Sequence, residues 1–376
     1  MSDTQKHTKP NVPNLRFPGF EGEWEKHTLG EVGEPYIGLT YSPADVVSEG
    51  GVIVFRSSNI QNGEIDYSDI VRVEKKIKES IRTRKDDLLI CARNGSPRLI
   101  GKNALLDDED ANQTFGAFML VFRSEDNHFI HQLLSTKGYY SQVSENLGAR
   151  INQITTSNIK DFEFSFPQSK AERDKIASFL DLLDRRISIQ NRVIERYESL
   201  IKALAFKVID SRESNSRLLD CVICSSSTLK ESELIDNGIP TYGASGISGY
   251  TVKAQCQSDS ILITKDGSGV GTKQFVHGAH SFVGTLCSLT AKDGFFLPYI
   301  YYALINKNLD TYKTGQAIPH IYFKDYGKEQ LFCPPYPEQI ELARGLEFLD
   351  RKVSFERGIV SNLYKLKTSL LNQLFI

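Results

Sequence analysis

Long apolar runs are missing from this 376-residue chain: nowhere do about 18 or more apolar residues follow one another, so no segment reads as a membrane-spanning helix. The opening stretch MSDTQKHTKPNVPN has no apolar core of the kind a signal peptide needs, and a cytoplasmic setting is expected. Cysteine is sparse and scattered. Cys91, Cys221, Cys224, Cys256, Cys287 and Cys333 lie in apolar stretches rather than in a spaced framework, which predicts reduced thiols and no disulfides. One CxxC, at Cys221 and Cys224, has no second CxxC or paired HxxxH to complete a four-ligand zinc site. The HxxH pairs His128/His131 and His277/His280 are weak signals by themselves, so no metal is expected. An excess of one charge is also lacking: 45 basic residues face 47 acidic ones, for a net charge of −2. A dedicated DNA-binding domain is often strongly basic. The distribution says more than the sum, because residues 72–102 hold ten basic groups against four acidic ones.

What the chain does have is a repeat. FLDLLDRRISIQ begins at Phe179 and LEFLDRKVSFE at Leu346, and Asp184 and Asp350 stand 166 positions apart. Upstream, Phe129, Gly148, Ile151 and Ile154 match Phe296, Gly315, Ile318 and Ile321 at an offset of 167. Earlier still, DDLLICARNGS from Asp86 resembles DSILITKDGS from Asp259. The chain reads as one unit of about 165 residues written twice, and a repeat of that kind sets the architecture.

Each copy ends in a long helix. Ile176, Leu180, Leu183, Ile187, Gln190, Ile194, Tyr197, Ile201, Leu204 and Val208 step by four and three, the spacing of a coiled-coil seam. The second seam, 166 residues on, runs Leu342, Leu346, Leu349, Val353, Glu356, Val360, Leu363, Lys367, Leu370 and Leu374, with Lys367 as its one misfit. A helix of that length spans roughly 58 Å at about 1.5 Å per residue. Gln190 and Glu356 occupy the same step, so packing the helices antiparallel is expected to bring these polar groups together and fix register. Leu180, Leu183, Ile187 and Ile194, with Leu346, Leu349, Val353 and Val360, are the expected packing residues around them.

The expected class is α+β: two globular domains joined by two long antiparallel helices, with a pseudo-twofold internal repeat. The expected partition is 1–165 and 211–331 for the domains, 166–210 and 332–376 for the helices. Short β-rich runs at 51–55, 117–122, 260–264 and 281–290 alternate with Gly, Asn and Ser turns, and helical stretches are expected near 128–146 and 297–309.

Enzyme signatures fail on detail. DGSGVGTK, residues 266–273, has three glycines and a lysine, but a phosphate loop needs Gly-Lys-Ser/Thr opening a helix, and here the lysine leads into another strand-like run. CPPY, residues 333–336, approaches the Asp/Asn-Pro-Pro-Tyr/Phe signature of amino-group methyltransferases, yet a cysteine is a poor hydrogen-bond acceptor for the target amine. A proline-bounded helix start is the simpler account.

Direct readout of a base sequence needs Arg, Lys, Asn, Gln or Ser on loops, with basic groups for phosphates. The first copy offers Arg56, Ser57 and Asn59; Arg93, Asn94, Ser96 and Arg98; and Asn152 with Gln153. The second offers Tyr242 and Ser245; Lys265, Ser268 and Lys273; and Gln316 with His320. The loops recur at matching places with different side chains, as two readers of two different sequences require. Arg93, Arg98, Lys265 and Lys273 stand out, combining charge with a glycine-bearing loop at the end of a strand. A solvated loop is the alternative for each residue.

At this point the chain resembles the specificity subunit of type I restriction-modification systems. The likeness covers nearly the whole length: PNLRFPGFEGEWEKHTLGEV near the start, two variable domains, and two helical spacers, though the first copy has only Pro167 where the family usually doubles the proline. The resemblance implies a noncatalytic protein that reads a bipartite site in double-stranded DNA, one half per domain, with the helices setting the gap. It implies partners as well: two methylation subunits carrying S-adenosylmethionine, and two restriction subunits using ATP and magnesium. No cofactor is expected in this chain. The competing readings are an adenine methyltransferase in its own right and a coiled-coil adaptor that binds no DNA.

Overall fold

The computed structural model describes residues 11–147, 152–315 and 319–376. The chain divides into two compact units, Met1–Ile189 with Val360–Ile376, and Gln190–Ile359. Each unit takes a globular domain plus part of both long helices, so the units cut the chain across the helices rather than at their ends.

In the first unit, the strand Leu88–Cys91 is buried on both faces. Successive side chains of a strand point to opposite sides. Leu88 and Ile90 accordingly enter a core with Trp24, Phe122, Phe129 and Leu180, while Leu89 and Cys91 enter another with Phe55, Phe115 and Val121. A strand clamped between two cores must be apolar throughout, which is why LLIC shows no alternation. It lies in a four-stranded antiparallel sheet ordered Glu34–Ile37, Met119–Arg123, Leu88–Cys91, Asn103–Leu105. A second sheet pairs Val52–Phe55 in parallel with Thr114–Phe115.

The second unit repeats this plan. Its four-stranded antiparallel sheet runs Val222–Ser226, Leu286–Ala291, Ser260–Thr264, Lys273–Val276. Its smaller sheet pairs Ile239–Gly243 in parallel with Ser281–Phe282. A short antiparallel ribbon precedes each long helix, Glu25–Thr28 with Glu163–Phe166 and Ser216–Arg217 with Gln330–Leu331.

Two expectations need correction. The stretch 128–146 is two helices, Asn127–Leu133 and Lys137–Asn146, because the Thr136 side chain caps a new start by accepting from the Tyr139 amide at 3.4 Å. The run 281–290 is likewise two strands, Ser281–Phe282 and Leu286–Ala291, separated by a turn in which the Leu286 amide donates to the Val283 carbonyl at 3.0 Å.

The long helices are Lys170–Ala205 and Tyr336–Leu374. Every seam position of both is buried or half-buried. In the first unit, Lys367 donates to Asp184 at 2.6 and 2.8 Å, and Leu371, Leu374 and Phe375 close over Trp24, Phe129 and Leu180. In the second unit, Gln190, 5% exposed, donates to Glu356. Farther along, Arg212 pairs with Glu338 at 2.6 Å, so the two helices run antiparallel there. The first turn of each helix carries a paired acid: Glu172, 1% exposed, accepts both arms of Arg16 at 2.8 Å, and Glu338 takes Arg212.

Candidate nucleic-acid interface

Three loops of the first domain meet where the strand Leu88–Cys91 ends. The amides of Ala92 and Arg93 both donate to the Phe118 carbonyl, at 3.0 and 2.9 Å, and the Ile154 amide donates to the Ala92 carbonyl at 2.9 Å. Arg93 and Gln153 form a bridge. Asn94 ties the remaining pieces together: its Nδ2 donates to Ser57 Oγ at 2.9 Å and its Oδ1 accepts from the Ser96 amide at 3.0 Å. Asn152 Nδ2 donates to the Gly95 carbonyl at 3.3 Å. Ser57, Asn94 and Asn152, far apart in sequence, are therefore parts of one surface.

The second domain ties the same knot with other residues. The Lys265 and Asp266 amides donate to the Thr285 carbonyl at 2.9 and 3.2 Å, and the Ile321 amide to the Lys265 carbonyl at 2.9 Å. Asp266 and His320 form the bridge, and the Gly267 amide donates to the Pro319 carbonyl at 2.9 Å. Gln274 Nε2 reaches the Gly243 and Ala244 carbonyls at 3.1 and 3.2 Å, bringing in the turn that carries Ser245. Position for position, Ala92, Arg93, Phe118 and Ile154 correspond to Lys265, Asp266, Thr285 and Ile321.

Within these clusters the candidate residues fare differently. Arg93, Ser96 and Arg98 are exposed, as are Ser245 and Ser268. Arg93 lies over the Phe118 ring, 5.0 Å from its centroid. Arg56 pairs with Asp69 at 2.8 Å, which offsets its charge locally. Asn59 is fully buried and braces its own loop: Oδ1 accepts from the Arg56 amide, and Nδ2 donates to the Asp66 and Asp69 carbonyls. Both of its donors are used, and full burial keeps the remaining lone pair of Oδ1 away from a base edge. Tyr242 is half-buried against Phe282 and Leu286, with His280 edge-on at 6.0 Å. Lys265 is ion-paired to Asp266. Lys273 begins a strand, donates to the Lys307 carbonyl at 2.6 Å, and lines a cavity of about 540 Å³ with Tyr301, Tyr302, Asp350 and Arg357. Burial pushes its amine down to about 8. The glycine-rich stretch before it is a tight turn, with Gly267 and Gly271 at φ of 93° and 87° and the Gly271 amide donating to the Thr264 carbonyl at 2.8 Å. Gln316 lies outside the described residues.

The basic surplus of residues 72–102 is partly spent on internal pairs, Lys75 with Asp45 at 3.1 Å and Lys85 with Asp108. Burial lowers Lys102. The HxxH histidines serve separate ends. His128 sits between Asp181 at 2.7 Å and Asp86 at 3.2 Å, and its pKa rises, chiefly through the Asp181 hydrogen bond. His131 is buried against Asn103 Oδ1 at 2.9 Å, and burial lowers its pKa to about 4. Among the described residues no group of three or more His, Cys, Asp or Glu side chains is placed to hold a metal ion. The six cysteines are free thiols, with Cys221 Sγ 3.7 Å from Cys333 Sγ.

Sequence reasoning missed two exposed aromatic groups in the clusters. Phe118 is 58% exposed, and Tyr322 is 49% exposed with the His320 ring at 5.1 Å and Lys324 Nζ at 5.2 Å. Phe118 had been absorbed into the apolar run 117–122, whereas the strand begins at Met119. The turn preceding it, closed by the Met119 amide on the Gly116 carbonyl at 2.8 Å, leaves no apolar signature distinct from the strand.

Fold and loop clusters together define a two-domain α+β protein that presents two different surfaces on one repeated frame. Residues 21–198 match the family of the type I restriction modification DNA specificity domain. The StySPI specificity subunit of Salmonella potsdam is 27% identical over 187 residues, 48% of this chain and 40% of that protein. The EcoKI specificity subunit of Escherichia coli K12 is 29% identical over 173 residues, 44% of this chain and 37% of that protein. The chain thus spans about two fifths of the length of these curated relatives. The crystal structure of a type I restriction-modification S subunit from M. genitalium superposes with a TM-score of 0.61 at 21% identity, covering 97% of this chain and 99% of that one, and supports the fold. Over residues 21–198, just under half of its length, the chain is thus similar to the type I restriction modification DNA specificity domain. No helix among the described residues is long and apolar enough to cross a membrane.

Proposed function

We propose that this chain is the noncatalytic, cytoplasmic subunit that reads a bipartite site in double-stranded DNA. Residues 1–165 take one half-site, residues 211–331 the other, and the helices of 166–210 and 332–376 hold the interval between them. Two methylation subunits, bearing S-adenosylmethionine, dock on it to form a modification enzyme. Two restriction subunits, using ATP and magnesium, complete the nuclease. The chain itself holds no cofactor.

One observation carries the reading: the same backbone hydrogen bonds gather three loops in both domains, while the side chains they display differ. A shared frame with different displays suits two modules reading two sequences by direct contact. Exposed Arg93 and Arg98 add phosphate partners in the first cluster.

The test is co-expression with the cognate methylation subunit, followed by mapping of methylated adenines across a genome. A motif of two short blocks with a fixed unspecified gap is expected. Methylation on one continuous short site, or none, would favour the adaptor, for which the repeat serves assembly alone.

A further inference from the structure

Phe118 is an aromatic side chain left outside the three apolar cores of its domain. Its carbonyl turns inward to accept the Ala92 and Arg93 amides, so the turn at residues 116–119 fixes the backbone and directs the ring outward. The ring is 58% exposed, at the rim of a cleft of about 480 Å³ whose other walls include Tyr41, Arg56, Ser57 and Met119. The Arg93 guanidinium rests 5.0 Å from its centroid. An arginine held by an aromatic face is already oriented and loses little freedom on binding. A large apolar group surrounded by polar and cationic loop residues points to a ligand that is anionic overall and apolar at one spot.

Duplex DNA meets that description in the major groove, where thymine alone carries an apolar projection, its C5-methyl group, among polar base edges and beside phosphates. In the second domain the corresponding turn places Thr285, also exposed, at the same point of the knot. The position is thus outward-facing in both domains, and core packing does not explain a phenylalanine there.

We propose that Phe118 determines specificity in the first half-site by packing its ring on a thymine C5-methyl group, with Arg93 held beside it for the adjoining base or phosphate. The proposal rests on the DNA-reading function above. Its test uses the full chain co-purified with its methylation subunit and duplexes carrying the mapped site, in which each thymine of the first block is replaced singly by uracil. That change removes one methyl group and leaves the hydrogen-bonding edge intact. For the unmodified chain, one such replacement is expected to weaken binding by roughly three- to tenfold, the effect of one buried methyl group. In Phe118→Ala the same duplex should bind as well as the thymine duplex, while Phe118→Leu keeps part of the discrimination. Unchanged discrimination of the second block shows that each variant is folded. The proposal is overturned if no thymine replacement matters, if the first block contains no T·A pair, or if Phe118→Ala weakens all duplexes equally. If the unmodified chain selects no split site, the DNA-reading function fails and takes this inference with it.

Discussion

Burial decides the role of a polar residue more than its type does. Asn59 and Asn94 both stand in polar loops, yet Asn59 is enclosed and satisfied by three backbone groups, whereas Asn94 lies at the surface where three loops join. Replacing Asn59 with alanine strands the Arg56 amide and the Asp66 carbonyl, while the Asp69 carbonyl keeps the Arg56 guanidinium, and should cost about 2 kcal/mol by urea unfolding. His131 offers a second test at this scale. Its folded pKa, lowered to about 4 by burial, lies below the ordinary value of 6.5, so the unfolded chain binds the extra proton between those pH values. Its contribution therefore falls as the solution is acidified from about 6.5 to 4. His128 acts oppositely and elsewhere: its raised pKa gives stability that is complete below 6.5 and lost as pH rises through the raised value. His131→Gln should thus unfold with a shallower pH dependence between 6.5 and 4 than the unmodified protein, measured as thermal midpoints across that range. Sequence reveals which residues can bond, but the enclosure that settled the fate of Lys273 comes from segments distant in the chain, and Asn59 is satisfied only by the particular fold of its own loop.

The long helices were the most legible elements. A seam that steps by four and three is local, so Ile187, Ile194, Leu346 and Val353 could be assigned to the packed face from spacing alone, and the structure buries all four. The odd step at Lys367 has a local answer too, because Asp184 faces it across the first unit. Asp350, the repeat partner of Asp184, instead accepts from Tyr302 at 2.6 Å, and burial raises its pKa. The helix broken at Thr136 and the strand broken at Thr285 were not legible, since a cap and a turn interrupt patterns that otherwise continue. Gln190 and Glu356 invite a swap to leucine. Changing both should raise stability by about 1–2 kcal/mol while loosening the register they define. Changing Gln190 alone leaves a half-buried carboxylate without its amide and should lower stability by about 1–3 kcal/mol. Urea unfolding, with cysteine cross-linking to report register, separates the two effects.

For the whole chain, the internal repeat means that one architecture has been asked for two displays. The sheet order, the parallel pairing of the smaller sheet and the three-loop knot all recur, and the periodicity of the sequence foretold that recurrence. What it did not reveal was which exposed groups each knot would lift, because Phe118 and Thr285 sit in turns that resemble the strands they precede. On the proposed bipartite reading, substitution of Ser245 and Ser268 together by alanine should alter only one block of the methylated motif and leave the other untouched, with genomic methylation maps as the readout.

The knot that gathers the loops is made of peptide N–H and C=O groups, with donors at Ala92, Arg93 and Ile154 and again at Lys265, Asp266 and Ile321. Every amino acid but proline supplies that same pair of groups. The backbone part of the knot therefore survives many side-chain combinations at the surface, and on the proposed reading of DNA a new target can arise from point changes in the loops. Duplication adds a second frame of the same kind, so on that reading one display can change while the other stays as it was.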